Sequence, residues 1–464
     1  TSPGRARTFE VERPKVRALI LVPDLARHTP TGEGAPQARN APGHTTHSPA
    51  DRLAEAVGLA QAIDLPVADS LIVPVARPRP ATLLGSGKVE ELADVVRDLD
   101  VGLVVVEHAL TPIQQRNLER AWDVKVLDRT GLILEIFGRR ARTREGRLQV
   151  ELAHLTFQRS RLVRSWTHLE RQRGGFGFLG GPGETQIETD RRLLQERIEK
   201  IRSELDKVKR TRALHRAGRA KVPYPIVAIV GYTNAGKSTL FNYLTGADVL
   251  SENQVFATLD PTMRERELPS GRRVILSDTV GFISDLPTML VAAFRATLEE
   301  VIAADVILHV RDISHPETEA QRRDVEDVLE SLFAEKGSEQ IAPIIEVWNK
   351  IDLVPDAERP DLEAATRRAS KRDEEPVLTS ALTGEGLHAL LERIDRHLAS
   401  LDVVMTIDLP PTAGRMRHWL HENTAVTDTD QRDGGIVRLT IRVPTEKHGR
   451  LLRLLDEAGL SAHH

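Results

Sequence analysis

The chain has 464 residues, too many for one hydrophobic core, and a size of about 150 residues per domain implies roughly three domains. Its 64 lysines and arginines against 68 acidic residues give a formal charge of −4, so the overall balance predicts neither a nucleic-acid nor a membrane partner. The lack of cysteine excludes disulfides, thiolate zinc sites and cysteine nucleophiles. No apolar run reaches the ~18 residues of a membrane span, so a cytoplasmic protein is expected.

The N-terminal part predicts an α/β domain, assigned to residues 1–138. Its apolar strands, at 16–22, 67–75, 102–106 and 124–127, alternate with helical patterns at 51–62, 87–98 and 111–121. Such alternation is typical of βαβ units and a parallel sheet. Residues 28–50, rich in Pro, Gly, Thr and His, predict a flexible insertion whose role is open.

Residues 139–221 predict a basic helical hairpin. Helical patterns cover 143–170 and 185–216, and the second has a coiled-coil seam at Ile187, Leu194, Ile198, Ile201, Leu205 and Val208. Between them, six glycines among residues 174–183 cannot continue a helix and predict the tip.

The charge of this hairpin suits an RNA partner. It has 22 basic and 10 acidic residues, a net charge of +12, and such a surface favours recognition of phosphates in folded RNA. The candidate contacts are Arg173, Phe176, Phe178, Arg191 and Arg192. Two alternatives stay open: the helices carry a merely solvated charged face, or the two phenylalanines pack the tip against its own helices.

Two glycine motifs before residue 222 raise the question of nucleotide binding in the N-terminal part of the chain. GFGFLG at 175–180 has the spacing of a dinucleotide-binding fingerprint, but it lies between helices and not after a strand. Gly85, Gly87 and Lys88 lie in the N-terminal domain, but their spacing is not that of a phosphate loop and favours the start of a helix.

Residues 222–400 predict a doubly wound α/β domain with a mostly parallel sheet. Apolar strands at 226–230, 273–277, 305–310 and 343–348 again alternate with helices. A βαββα pattern then predicts a small C-terminal α+β domain at 401–464.

A phosphate loop opens this third region. GYTNAGKS at 231–238 follows a strand, and its glycines allow backbone N–H groups to surround phosphates at a helix N-terminus. Its candidate nucleotide contacts are Gly231, Tyr232, Thr233, Asn234, Ala235, Gly236, Lys237, Ser238 and the following Thr239. Lys237 should reach the β- and γ-phosphates. The loop alone does not distinguish ATPases, kinases and GTPases.

The base is indicated by NKID at 349–352, which also follows a strand. The Asp352 carboxylate can accept both hydrogen bonds from the guanine N1–H and exocyclic amine, a pair of donors that adenine lacks. Asn349 should join the base pocket to the phosphate loop, and the stem of Lys350 should cover the base. The guanine oxygen is expected at the loop formed by Ser380, Ala381 and Leu382.

Two further motifs predict a magnesium site and γ-phosphate sensing. DTVG, residues 278–281, follows a strand, and FATLDPT at 256–262 supplies Thr258. The expected nucleotide contacts are Asp278, Thr279, Val280 and Gly281 in the first motif, and Phe256, Ala257, Thr258, Leu259 and Asp260 in the second. Ser238, Thr258 and Asp278 are the candidate magnesium ligands. Lys237, Thr258 and Gly281 are the candidate catalytic residues.

One position predicts slow hydrolysis. Phe282 follows DTVG where many small GTPases have a glutamine that orients the attacking water, and phenylalanine cannot do so. A partner or a cation should then complete the site. Asn234 is a candidate potassium ligand because potassium-stimulated GTPases resemble this chain there; a structural hydrogen bond is the alternative.

The motifs GYTNAGKSTLFN, FATLDPT and DTVGFI, preceded by GGFGFLGGPGETQIETDRR, SGKVEEL and TPIQQRNLE, closely resemble the HflX family. The resemblance covers about residues 50–400, and the insertion at 28–50 departs from it. It implies a bacterial GTPase, monomeric in our expectation, that binds the large (50S) ribosomal subunit and splits ribosomes, with hydrolysis recycling the factor. It also implies a hairpin tip near the peptidyl transferase centre and a C-terminal domain facing ribosomal proteins. The alternative is a GTP-gated assembly factor that binds rRNA without splitting.

Overall fold

The computed structural model describes residues 16–25, 47–172, 182–219, 224–247, 255–256, 258–259, 261–285, 295–336, 342–368 and 375–463. They fall into two compact units: the first holds the residues up to Ser203 together with Val255 and Phe256, and the second holds the remainder. None of the helices in the described ranges combines the length and apolar character of a bilayer crossing.

The first unit contains a four-stranded parallel sheet. Its strands are β1 (Ala18–Leu25), β2 (Val67–Val75), β3 (Leu103–Val106) and β4 (Lys125–Asp128), in the order β2-β1-β3-β4. The helices are α1 (Pro49–Gln61), α2 (Ser86–Asp98), α3 (Pro112–Trp122) and α4 (Arg129–Arg140). The predicted α/β class is confirmed, and β1 is buried along most of its length, as a central parallel strand should be.

The helix starts differ in detail from the sequence expectation. The Ser48 side chain caps α1 by accepting a 3.1 Å hydrogen bond from the Asp51 amide, so the last residues of the predicted insertion belong to a helix start. Residues 28–46 lie outside the described residues. The glycine motif before α2 is a helix start as well, because Gly85 is its N-cap and Lys88 forms a 2.7 Å ion pair with Glu91.

Two long helices follow, α5 (Arg144–Gln172) and α6 (Pro182–Arg219). Side chains join them: Arg197 pairs with Glu151, and Arg159 donates to Gln195. The predicted seam is buried at Ile198, Ile201 and Leu205.

The expected tip is only partly described. Helix α6 already begins at Pro182, inside the predicted tip, since proline is well suited to a first helical position. The rest of the tip, with Arg173, Phe176, Phe178 and the GFGFLG motif, lies outside the described residues.

A six-stranded sheet forms the middle of the second unit, in the order β10-β9-β8-β5-β7-β6. Its strands are β5 (Ile226–Gly231), β6 (Thr262–Glu267), β7 (Arg273–Asp278), β8 (Val306–Asp312), β9 (Ile344–Asn349) and β10 (Val377–Leu378). The helices are α7 (Lys237–Thr245), α8 (Arg295–Ile302), α9 (Thr318–Lys336), α10 (Arg359–Arg368) and α11 (Leu387–Ser400). All pairings are parallel except that of β6 with β7, which confirms the mostly parallel sheet.

This topology explains why distant motifs can meet. Strands β5, β7, β8 and β9 run in the same direction, so the residues that follow them lie at one edge of the sheet. The carboxyl ends of parallel strands are where α/β folds bind ligands. The phosphate loop, DTVG and NKID follow β5, β7 and β9 respectively.

The chain ends in an antiparallel sheet of order β12-β13-β11-β14, formed by β11 (Val403–Leu409), β12 (Ala425–Gln431), β13 (Val437–Val443) and β14 (Ala462–His463). Helices α12 (Gly414–Asn423) and α13 (Thr445–Glu457) complete a βαββαβ order. The α+β class is therefore confirmed, with one short strand more than the sequence pattern indicated.

Candidate GTP site

The phosphate loop joins β5 to α7, and two of its glycines are sterically required. Gly236 has a φ of +93°, and a Cβ there would lie 2.3 Å from the side-chain nitrogen Nδ2 of Asn349. At Gly231 a Cβ would lie 2.1 Å from the Val310 carbonyl oxygen. No other residue type fits either position without displacing its neighbour.

Lys237 is the first residue of α7 and its ammonium group lies inside the loop. Nζ donates a 2.7 Å hydrogen bond to the Tyr232 carbonyl oxygen, and the residue is 6% exposed. Burial lowers the pKa of Lys237 to about 8, although the Asp278 carboxylate acts in the opposite direction. A cation enclosed in this way is suited to an anionic ligand, which would replace the lost hydration.

The three predicted magnesium ligands lie together. Ser238 Oγ donates to Asp278 Oδ2 at 2.8 Å, Thr258 Oγ1 donates to the same oxygen at 2.9 Å, and the two hydroxyls are 2.9 Å apart. They come from α7, the segment before β6, and the end of β7.

The chemistry of this set fits magnesium. All donors are oxygens, which Mg²⁺ prefers, and Asp278 Oδ1 is buried with no hydrogen-bond partner among the described residues. Burial raises the pKa of Asp278, while Ser238, Lys237 and Thr258 act against this rise. A buried carboxylate with a free oxygen is therefore available to a cation and its bound water.

The DTVG turn lies against the phosphate loop. A Cβ on Gly281 would lie 2.9 Å from Thr233 Cγ2 and 3.0 Å from the backbone Cα of Thr233, so a larger residue would have to displace the phosphate loop. The Phe282 amide donates to the Gly231 carbonyl oxygen at 3.1 Å, and the Thr233 amide donates to the Phe282 carbonyl oxygen at 2.7 Å. The ring of Phe282 is only 1% exposed and serves the core.

Thr279 and Val280 are also buried. The Thr279 hydroxyl donates to the Ile229 carbonyl oxygen at 2.6 Å, which fixes the turn to β5. The side chains of these two residues thus hold the turn in place, and a nucleotide would meet the backbone.

The NKID turn is tied to both neighbouring loops through Asn349. Its side-chain Nδ2 donates to the Ala235 carbonyl oxygen at 2.8 Å, and its Oδ1 accepts a hydrogen bond from the backbone amide of Ala381 at 2.9 Å. The Ser380 hydroxyl donates to Asp352 Oδ1 at 2.6 Å and so orients that carboxylate. Hydrogen bonds therefore join Asn349 to Ala381 and Asp352 to Ser380, beside the phosphate loop.

Asp312 was missed by the sequence reasoning. Its Oδ2 lies 2.7 Å from Lys350 Nζ, at the end of β8 beside the NKID turn. The position of Asp312 could have identified it, because it is an acidic residue at the carboxyl end of a parallel strand and β9, the next strand, precedes the NKID motif. It had no recognisable motif around it.

The remaining predicted contacts differ in how far they are exposed. Thr239 lies in the first turn of α7, Leu259 is buried and Leu382 is 76% exposed. The Phe256 ring, in the first unit, is 2% exposed and packs edge to face on Phe137 with ring centres 4.8 Å apart. Its ring surface is thus already covered by protein. Ala257 and Asp260 lie outside the described residues.

On the helical pair, the two described arginines of the RNA prediction are exposed. Arg191 and Arg192 line a cavity of about 660 Å³ together with Arg159, Glu188 and Gln195. Arg159 donates to the neutral Gln195, and Arg192 lies 3.8 Å from Glu196. Among the described residues, the lining has three guanidinium groups and one carboxylate and is therefore positively charged.

Four family descriptions match successive parts of the chain: "GTP-binding GTPase N-terminal" over residues 50–138, "GTP-binding GTPase Middle Region" over 140–219, "50S ribosome-binding GTPase" over 226–350 and "HflX C-terminal domain" over 364–461. A solved GTP-binding protein of Sulfolobus solfataricus in complex with GDP aligns with a TM-score of 0.42 and 23% identity, over 83% of this chain and 99% of that chain. That likeness is too low for a comparison of sites.

Full-length relatives have much higher identity. The GTPase HflX of Magnetococcus marinus is 49% identical over 408 residues, which is 88% of this chain and 91% of that protein. The GTPase HflX of Escherichia coli is 45% identical over 376 residues, 81% of this chain and 86% of that protein. These matches confirm the resemblance seen in the motifs, and the chain belongs to the HflX family of GTPases.

Proposed function

We propose that this protein hydrolyses GTP, binds the large ribosomal subunit and splits ribosomes, with hydrolysis releasing the factor. The observation that carries the nucleotide assignment is the convergence of the phosphate loop, the oxygen cluster around Asp278 and the Asn349–Asp352 pocket at one sheet edge. The cytoplasm would then be its location. We divide the chain into four regions for this function: an N-terminal α/β domain at 1–138, the hairpin at 139–221, the GTP-binding domain at 222–400 and the C-terminal domain at 401–464.

Within the site, each group has a distinct task. Ser238, Thr258 and Asp278 would hold Mg²⁺, which supplies positive charge to the phosphates. Lys237 adds a second positive charge at the β- and γ-phosphates, and the backbone amide of Gly281 donates to the γ-phosphate. Asp352 selects guanine by accepting from its N1–H and amine, and Ser380 keeps the carboxylate in place.

We expect slow hydrolysis by the isolated protein. Phe282 is buried and apolar, so it cannot orient water, and a ribosomal group or a monovalent cation would complete the site. Asn234 is suited to bind potassium: it is exposed in the phosphate loop with a φ of +62°, and its side chain has no hydrogen bond to any described residue. The missing hydrogen bond speaks against the structural alternative of a side-chain hydrogen bond, while the left-handed backbone is a conformation that asparagine tolerates well.

The large-subunit partner is supported by two independent features. The family description "50S ribosome-binding GTPase" matches residues 226–350. The hairpin carries a net charge of +12, and its arginine-lined cavity between α5 and α6 has the charge expected for rRNA phosphates. We place the RNA contacts at Arg191 and Arg192, with Arg173, Phe176 and Phe178 at the tip. The protein is expected to act as a monomer.

The experiment is co-sedimentation with purified 50S and 30S subunits, with GDP and with a non-hydrolysable GTP analogue. The proposal expects binding to 50S only, and stronger binding with the GTP analogue. Equal binding to both subunits would contradict the partner assignment. A variant with Arg191 and Arg192 changed to Gln should weaken 50S binding without changing nucleotide affinity.

The second candidate is a GTP-gated assembly factor that binds rRNA on immature subunits. The same basic hairpin and the same nucleotide site would serve it. The two functions differ in their effect on intact 70S particles, which only the first would split.

A further inference from the structure

We propose that Asp312 is a positioning residue that holds the Lys350 side chain over the guanine base. This inference rests on the proposed guanine-nucleotide site and extends it to a residue outside the sequence motifs. Asp312 does not touch the nucleotide in this account. It acts only through Lys350.

The two oxygens of Asp312 have separate partners. Oδ2 accepts from Lys350 Nζ at 2.7 Å. Oδ1 accepts from the Ser314 amide at 3.1 Å and from the Ser314 hydroxyl at 2.6 Å. The carboxylate is therefore fixed by its own turn after β8, and its second oxygen is directed at the lysine.

The backbone of Lys350 is fixed independently of its side chain. Its neighbour Asn349 is bonded to Ala235 and Ala381, and the Ile313 amide donates to the Asn349 carbonyl oxygen at 3.1 Å. Lys350 itself has a φ of +65°. These contacts set where the Lys350 side chain begins, but a lysine has four rotatable carbon bonds and needs an anchor at its far end.

Burial makes this anchor effective. The side chains of Lys350 and Asp312 are 27% and 13% exposed, so water screens their attraction less than at an open surface. With the ammonium held by Asp312, the apolar stem of Lys350 is pre-ordered as one wall of the base pocket. The stem then loses its conformational entropy when the protein folds, and nucleotide binding does not have to order it.

A double-mutant cycle tests the proposal. The affinities of GDP and a GTP analogue are measured for the wild type, Asp312→Asn, Lys350→Met and the double variant of the full chain. Asp312→Asn should weaken both nucleotides by the same factor, between about threefold and thirtyfold. The double variant should be no weaker than the weaker single variant, because both substitutions remove the same contact.

The control is Asp356→Asn, which also removes one negative charge shortly after the NKID turn. Asp356 is 98% exposed at its side chain and pairs with Arg359 instead of Lys350, so its loss should leave the affinity unchanged. Asp312→Glu keeps the charge and should recover part of the affinity if Asp312→Asn is poorly folded.

Additive losses in the cycle, or an unchanged affinity in Asp312→Asn, would overturn the role of Asp312. A wild-type protein that binds no guanine nucleotide would instead overturn the proposed function. The two failures are therefore distinguishable in one set of titrations.

Discussion

Thr258 donates a 2.9 Å hydrogen bond to Oδ2 of Asp278, although the two residues are twenty positions apart. Thr258 precedes β6 and Asp278 ends β7, the neighbouring strand. The antiparallel pairing of these strands brings the two side chains to the same end of the sheet, where Ser238 joins them. The two segments expected to sense the γ-phosphate are therefore joined by a direct hydrogen bond between Thr258 and Asp278.

Thr258→Val should weaken the binding of a GTP analogue with magnesium by on the order of tenfold, the effect typical of a disturbed metal environment. GDP affinity should change far less, because the segment of Thr258 is expected to be held at the metal by the γ-phosphate, which GDP lacks. Fluorescence titration with both nucleotides measures this. A loss of equal size for GDP would contradict the assigned role.

Asp352→Asn should exchange guanine for xanthine nucleotides. The amide still accepts one hydrogen bond but now donates the other, which suits the second carbonyl oxygen of xanthine and not the amine of guanine. Competition of GTP and XTP for the site measures the preference. Retained guanine preference in the variant would show that Asp352 does not contact the base.

The potassium hypothesis predicts faster hydrolysis in potassium than in sodium buffer for the wild type, and no difference for Asn234→Ala. The physical reason is an added positive charge beside the phosphates during the reaction. Phosphate release under both salts measures it. Equal wild-type rates would reject the cation, and the hydrolysis would then depend on a partner alone.

Arg272→Ala should destabilise the second unit by between about 1 and 3 kcal/mol, as expected when one member of a partly buried ion pair is removed. Arg272 forms two hydrogen bonds, of 2.7 and 2.6 Å, with Asp402, and the two side chains are 12% and 5% exposed. The adjacent Arg273→Ala is the control, since its pair with Glu265 is half exposed and should contribute far less to stability. Thermal melting of both variants would show no difference if the Asp402 pair were irrelevant.

His309 should make the protein less stable in acid. Burial lowers the pKa of His309 to about 4; Glu346 raises it, whereas Arg311, Arg322 and Lys237 lower it further. The native state therefore excludes a proton that the unfolded chain binds near pH 6.5. Its contribution to stability is complete above about pH 6.5 and is lost as the pH falls toward about 4, by up to roughly 3 kcal/mol.

Melting temperatures near neutral pH and at about pH 5 test this linkage. His309→Gln should lose less stability between the two conditions than the wild type. His388→Gln is the matched control, because His388 is 79% exposed at its side chain and should not alter the difference. Identical pH dependence in the wild type and His309→Gln would contradict the expectation.

Much of this fold follows from local sequence rules. The strands β2, β3 and β5 and the long helices were evident from periodicity, because each has a regular apolar pattern bounded by turn residues. Helix α4 was not, since it follows β4 without any loop; its start depends on the Asp128 side chain, which accepts from the Gly131 amide at 2.9 Å. A cap of this kind is visible only once the strand end is known.

The candidate nucleotide site also has parts that the sequence predicts and parts that it does not. The phosphate loop, DTVG and NKID could be predicted because backbone conformation restricts their residue types, as at Gly236. The pairing of Lys350 with Asp312 could not, because it joins residues 38 positions apart through the order of β8 and β9. Contacts of that kind depend on sheet topology and leave no spacing rule in the chain.

The proposed splitting activity is tested most directly by adding the protein, with a non-hydrolysable GTP analogue, to intact 70S ribosomes and separating the particles by sedimentation. Our account predicts free 30S subunits and 50S subunits that carry the protein, and intact ribosomes when GDP replaces the analogue. Ribosomes that stay intact with the analogue, under conditions where the protein binds free 50S subunits, would contradict splitting and favour the assembly factor.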